Sequence, residues 1–236
     1  MDENERKQDA EALDQRFQNS TKKEIFTTIY REKMWGVPKN SGNDHLNFFS
    51  GRGSHNPTIV DPYIKAVREF LQTQTKPVTL VDMGCGDFNV GSNFVDLVDK
   101  YVAYDLVEEV IEENKKRYPD LPVDFQAADL TVDIPQKGDI AVLRQVLQHL
   151  SNADIFKVLD NLNHFRALIF SDILPIGDFE PNLDCPTGRY SRSGRGIPSG
   201  VVLDKPPFNM FFKERYELCR VTSNSGVTQT LVFTFK

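Results

Sequence analysis

Cysteine is scarce in this chain, and its three copies, Cys85, Cys185 and Cys219, stand far apart without C-x-x-C spacing. That pattern excludes a disulfide framework and a zinc knuckle and fits a reducing compartment. Long apolar runs are missing too. No stretch reaches the roughly 18 apolar residues of a membrane helix, and Met1-Asp2-Glu3-Asn4-Glu5-Arg6 lacks the apolar segment of a secretory signal. The expectation is a cytoplasmic protein with no membrane partner. Basic excess is also absent. Acidic residues number 34 against 28 basic ones, a net charge of -6, which is the wrong sign for steering toward phosphate backbones, so nucleic acid is not an expected partner.

What is present suffices for one α/β domain with additions, because 39% of the 236 residues are hydrophobic and single domains usually hold roughly 100–200 residues. Residues 1–56 read as an N-terminal helical leader followed by a loop covering a cofactor or substrate. Within them, residues 2–24 are charge-rich, with Leu13 and Phe17 the main apolar positions, and the stretch from Ile25 to Trp35 gains aromatics. Trp35-Gly36 and Ser50-Gly51-Arg52-Gly53-Ser54 suit the wall or lid of a ligand site, since glycine permits close approach and tryptophan supplies a rigid apolar face.

Residues 57–236 read as the domain proper. A 3.6-residue apolar period over 62–72 predicts a helix. Strands are then expected at 78–82, 101–105, 123–127, 139–143 and 167–171, with helices at 90–98, 108–118 and 152–163 between them. Such alternation predicts a parallel sheet with helices on both faces. The end of the chain departs from it. Residues 217–222 and 227–235 are strand-like and joined by Asn224-Ser225-Gly226, a link short enough only for an antiparallel hairpin. The expected fold is a Rossmann-like three-layer sandwich, with a mostly parallel seven-stranded sheet closed by a C-terminal antiparallel hairpin.

Open sheets of this kind bind ligands at the carboxyl ends of their strands. Gly84 and Gly86 fall in the first strand-to-helix turn, but the dinucleotide fingerprint needs a third glycine where Asn89 stands. Asp82 and Asp87 flank the loop, and two carboxylates repel a pyrophosphate. A cationic ligand suits them better, and S-adenosyl-L-methionine carries a sulfonium, an ammonium and no phosphate. Asp105, ending the second strand, is placed to accept from both ribose hydroxyls, and Asp129, after the third, to accept from the adenine amino group.

Val81-Asp82-Met83-Gly84-Cys85-Gly86-Asp87, Tyr104-Asp105-Leu106, Ala128-Asp129-Leu130 and Leu143-Arg144-Gln145-Val146-Leu147-Gln148-His149-Leu150 together resemble the motifs of the class I S-adenosylmethionine-dependent methyltransferases over roughly residues 57–236. Asp87 in place of a third glycine is the departure, shared with the subset whose loop reads Gly-Cys-Gly-Asp. The resemblance implies a cofactor site made by Asp82, Gly84, Cys85, Gly86, Asp87, Asp105, Leu106, Asp129 and Leu130, with Trp35 as a wall and no metal. The cysteine is a small packed residue in this reading, since methyl transfer needs no thiolate.

Methyl transfer from a sulfonium is a direct displacement that asks the protein to align the reactants and exclude water. For a hydroxyl acceptor, His149 is a candidate base, or else a hydrogen-bonding residue at a helix start. Asp172 is a second candidate base, or a cap. Arg144 pairs with the cofactor carboxylate, an acidic substrate or a strand-end acid; Gln145 touches the methionine part or solvent. Asp204-Lys205-Pro206-Pro207-Phe208 is similar to a motif of base methyltransferases, but Lys205 interrupts it and it follows the wrong strand. The leading expectation is a methyltransferase for a small-molecule acceptor such as a sugar or metabolite hydroxyl. A protein or RNA substrate docked on the Arg189–Arg195 loop, and a non-catalytic binding module, are the alternatives.

Overall fold

The computed structural model of the chain describes residues 15–36, 47–193 and 197–235. In chain order the elements are α1 (Lys22–Arg31), α2 (Pro57–Gln72), β1 (Thr79–Met83), a 3₁₀ turn (Gly91–Leu97), β2 (Lys100–Asp105), α3 (Glu108–Arg117), β3 (Val123–Ala127), β4 (Ile140–Arg144), a short 3₁₀ turn (Leu147–His149), α4 (Asn152–Asp160), β5 (Ala167–Leu174), β6 (Glu214–Ser223) and β7 (Gly226–Thr234). The strands form one seven-stranded sheet in the order β3-β2-β1-β4-β5-β7-β6. β1 to β5 run parallel, while β7 pairs antiparallel with both β5 and β6.

β1, β2, β4 and β5 are buried almost throughout because helices cover both faces of a parallel sheet, while β3, at the sheet edge, buries only Phe125. On one face Val67 and Leu71 of α2, Phe94 of the 3₁₀ turn and Ile111 of α3 pack on Leu80, Ala103, Ile140 and Ile169. On the other, Ile155 and Val158 of α4, with Val201, Leu203 and Phe208 from the long β5–β6 connection, pack on Val81, Val102, Leu143 and Leu168. Strand order reverses between β1 and β4, so the crevice above those two strand ends is the natural ligand position.

Several boundaries differ from the sequence expectation. The helix predicted over 62–72 begins at Pro57, where Asn56 caps it by accepting from the Thr58 amide and Pro57 occupies its first turn. Residues 91–97 form a 3₁₀ turn instead of the expected α-helix over 90–98. The carbonyl of Asn93, which an α-helix would give to the Leu97 amide, instead accepts from the Arg68 guanidinium. β5 runs on to Leu174 because β7 pairs along its whole length, and Asp172 is therefore within the strand, opposite Gln229.

Most of the expected leader helix over 2–24 lies outside the described residues. Of its described part, residues 15–17 are helical, and Lys22 to Glu24 open α1, which runs on into the aromatic stretch. Thr21 starts it with a capping box: its hydroxyl accepts from the Glu24 amide while the Glu24 carboxylate accepts from the Thr21 amide.

Candidate functional site

Above β1 and β4 lies a cavity of about 560 Å³. Its floor is the loop after β1. Gly84 and Gly86 hold φ angles of +93° and +56°, a region that side chains rarely adopt. A Cβ on Gly84 would stand 2.5 Å from Val146 Cγ2, and one on Gly86 would stand 2.3 Å from Ser50 Oγ. The amides of Gly84 and Cys85 both donate to the Tyr104 carbonyl, at 2.9 and 2.8 Å, which bends the loop back over β2.

The acids sit where the strand ends put them. Asp82 is buried and accepts from the Tyr101 hydroxyl at 2.9 Å; burial pushes its pKa up to about 7 against the hydrogen bond. Asp105 accepts from the Gly86 amide at 3.0 Å and the Val107 amide at 2.9 Å, and burial lifts its pKa to about 6. Asp129 lines the far end, accepting from Thr131 through Oδ1 and pairing with Lys22 through Oδ2 at 3.2 Å. Leu106 and Leu130 line the same end.

Asp87 is also tied to the covering segment. Its Oδ2 accepts from the Ser50 amide at 3.0 Å and lies 2.5 Å from His55 Nε2, with both side chains buried. The ring of His55 is stacked on Phe49 at 4.3 Å. The carboxylate is thus a joint between the loop after β1 and the covering segment, even though the residue reaches the cavity wall.

Arg144 closes the end of β4. Its guanidinium lies 4.8 Å from the centre of the Tyr63 ring and donates to the Gly53 carbonyl at 2.6 Å and to Ser54 Oγ at 3.1 Å. Those partners are the cover rather than a strand-end acid. Gln145 follows with a φ of +56°, and a Cβ on Gly53 would fall 2.0 Å from its Oε1. Cys85 is packed beside Asn114, and burial pushes its thiol well above the ordinary range.

Of the two candidate bases, only His149 is on the cavity wall. Its ring lies 4.4 Å from that of Trp35. Nδ1 is 2.9 Å from the Tyr190 carbonyl, which can only accept, so the proton belongs on Nδ1, and Nε2 accepts from the Gln148 amide at 3.2 Å. Burial lowers its pKa to about 4. Asp172 is buried in β5, outside the cavity lining, with Oδ1 accepting from its neighbour Ile173.

The arginine run is divided. Arg189 lines the cavity and stacks on Tyr190 at 4.2 Å. Arg192 is wholly buried, donating to the carbonyls of Leu147, Leu150 and Leu183 and to Asn152 Oδ1, so it clamps the β5–β6 connection to the start of α4. Arg195 lies outside the described residues. A three-arginine docking surface is therefore not what the fold presents. Ser50 to Ser54 line the cavity as the expected wall, and it also takes Lys22, Tyr30, Tyr63 and Gln148, none of them expected from sequence as site residues. The capping box at Thr21-x-x-Glu24 was the available signal for Lys22 and Tyr30; the others carry none.

Among the described residues no group of three or more His, Cys, Asp or Glu is arranged to hold a metal, and no helix is long and apolar enough to cross a membrane. No curated protein matches the sequence. A family model described as a methyltransferase domain matches residues 81–164. Among solved structures, the chain is similar to an S-adenosylmethionine-dependent methyltransferase from Leishmania major, at 13% identity and a TM-score of 0.58, over 87% of this chain and 81% of that one. It is also similar to the N-methyltransferase NodS from Bradyrhizobium japonicum, at 13% identity and a TM-score of 0.55, over 77% and 98%. A third match is DhpI in complex with S-adenosylhomocysteine, at 12% identity and a TM-score of 0.55, over 87% and 96%. The sheet order, the reversed terminal hairpin and the match over 81–164 identify the fold as the Rossmann-like fold of the class I S-adenosylmethionine-dependent methyltransferases.

Proposed function

We propose that this chain binds S-adenosylmethionine and transfers its methyl group to a small-molecule acceptor with a hydroxyl nucleophile. The observation that carries the reading is the cavity itself, in which Asp82, Asp105 and Asp129 stand at the ends of β1, β2 and β3 around a loop with no room for side chains at Gly84 and Gly86. Acids held near pH 6–7 by burial favour a cationic ligand, which restores their charged form. Asp105 suits the ribose hydroxyls and Asp129 the adenine amino group, while Arg144 suits the ligand's carboxylate. When bound, the cofactor supplies an activated methyl group and a neutral leaving sulfide.

For the acceptor, the division of the arginine run weighs against a docked RNA or protein, because Arg192 is spent inside the fold. His149 is neutral above about pH 4. A base this weak takes a proton on Nε2 only after that atom gives up the Gln148 amide, and only as the new carbon–oxygen bond forms, when the attacking hydroxyl has become far more acidic. Trp35 and the covering segment exclude water from that step.

Calorimetry tests the reading in two stages. The chain is expected to bind S-adenosylmethionine and not NAD, and Asp105→Ala is expected to weaken that binding by about 100-fold, the loss of one or two hydrogen bonds to a charged acceptor. Binding of NAD in place of S-adenosylmethionine would sink it. Release of labelled methyl into metabolite, peptide and RNA pools then tests the acceptor, and transfer confined to peptide or RNA would overturn the small-molecule assignment.

A further inference from the structure

The charges around the cavity are divided. Among the described residues its carboxylates are Asp82, Asp87, Asp105 and Asp129, all on the side of β1, β2 and β3. The wall formed by Trp35, His149, Arg189 and Ser191 has no acid and one permanent cation. Arg189 is fastened to the candidate base through both of its neighbours. The Gly188 amide donates to the His149 carbonyl at 2.9 Å, and His149 Nδ1 donates to the Tyr190 carbonyl at 2.9 Å. The guanidinium is held as well. It stacks 4.2 Å from the centre of the Tyr190 ring and donates through Nη2 to the Tyr190 hydroxyl at 2.8 Å. Stacking fixes the plane of a fork whose geometry matches a carboxylate or a phosphate. Arg189 is half-buried and reaches the cavity, where a charge is less screened than on the open surface. A cationic cofactor takes the acidic side, and the acceptor meets the arginine.

We infer that the acceptor is a small hydroxylated anion, its carboxylate or phosphate bound by Arg189 while the hydroxyl to be methylated stands at His149. This rests on the methyltransferase reading above and names the class of its substrate. Because Arg189 lies between the two residues that hold His149, the anion and the hydroxyl are recognised at a fixed separation. A neutral analogue of the same shape loses the charge-assisted hydrogen bonds and with them most of its hold on the site.

The test measures labelled methyl transfer by the full chain to hydroxy acids and to sugar phosphates, each beside its neutral counterpart, the methyl ester or the parent sugar. A preference of about 10-fold or more for one anionic set over its neutral counterparts is expected, and the set that responds distinguishes carboxylate from phosphate. Equal transfer to the neutral compounds overturns the inference. So does transfer to neither set by a chain that binds S-adenosylmethionine. If the chain does not bind S-adenosylmethionine, the methyltransferase reading falls first and takes this one with it. With the best acceptor found, Arg189→Met is expected to raise KM by about 10–100-fold, the loss of a hydrogen bond between charged groups, and to leave the affinity for S-adenosylhomocysteine unchanged. Arg189→Lys is expected to recover part of that loss. An unchanged KM, or a parallel loss of S-adenosylhomocysteine affinity, overturns the inference. KM does not depend on the fraction of a sample that is folded, so the outcome is independent of the variant's stability.

Discussion

Beneath the cavity, the ends of β1, β2 and β4 are fixed by side chains such as Val81, Met83, Val102 and Leu143, all within the sheet and nearly inaccessible to solvent. Above it, α1 and residues 47–56 are fixed by individual pairs: Ser50 and His55 on Asp87, Gly53 and Ser54 on Arg144, Lys23 on Glu108 and Arg31 on Glu109. The cover's apolar anchor is the smaller one: Ile25, Ile29 and Tyr30 of α1 and Phe49 are buried, Tyr30 against Val107 and Val110. Apolar burial is spread over many contacts and survives the loss of any one, whereas a polar joint depends on each partner. The cover is therefore the part of the molecule expected to open by itself, on a floor that stays folded.

The largest expected effect comes from breaking the buried joint. Asp87→Ala removes the acceptor of the Ser50 amide and the partner of His55. Hydrogen bonds to charged groups contribute roughly 1.5–3 kcal/mol each, and about 1 kcal/mol moves the midpoint by 2–4 °C in a chain of this size. A fall of about 5 °C or more is expected. Amide exchange should rise sharply over residues 47–56 and stay slow in β1 and β2. Equal acceleration in cover and strands would mean that the two regions are one cooperative unit, and the contrast would be lost.

The same contrast explains what could be read in advance. The strands were legible because buried parallel strands are short apolar runs, and Asp82 and Asp105 were legible because strand ends fix where a side chain goes. The terminal hairpin followed from a turn too short for a crossover. The joint that fastens the cover was not legible, since His55 and Asp87 meet across 32 residues and neither sits in a repeating pattern. Tyr63 reads as one more core aromatic of an amphipathic helix, and only the fold puts it on the cavity wall beside Arg144. In Arg189–Arg195, composition alone cannot separate a solvated loop from a buried clamp; Arg192 became a clamp because three carbonyls around the start of α4 need a donor.

A smaller effect, of opposite sign, is expected in the floor. Burial pushes Asp172 up from 3.8 to about 7. The folded chain therefore holds that proton more tightly than the unfolded one, and stability is lost as pH rises from about 4 through about 7. Asp172→Asn removes the buried charge, so it should raise the melting midpoint at pH 8 and give no gain at pH 4. The amide brings an N–H of its own to be satisfied, which limits the gain to about 1 kcal/mol. A gain of equal size at both pH values would show that the carboxylate is not what the burial penalises.

The smallest effect belongs to the outer rim of the cover. Lys23 and Glu108 are 52% and 62% exposed, and Arg31 and Glu109 are 63% and 37% exposed. Exposed pairs gain little, because water competes for both partners and holding two long side chains costs entropy. The double variant Lys23→Ala with Arg31→Ala should leave the global melting midpoint unchanged and raise exchange in α1 slightly at low salt. At about 1 M salt, where the screening length falls to roughly 3 Å, wild type and variant should become indistinguishable in α1. Asp87→Ala should keep its effect at that salt concentration, since its joint is shielded from solvent. If the rim variant opened residues 47–56 as far as Asp87→Ala does, the cover would be held by its surface charges and the buried joint would be a bystander.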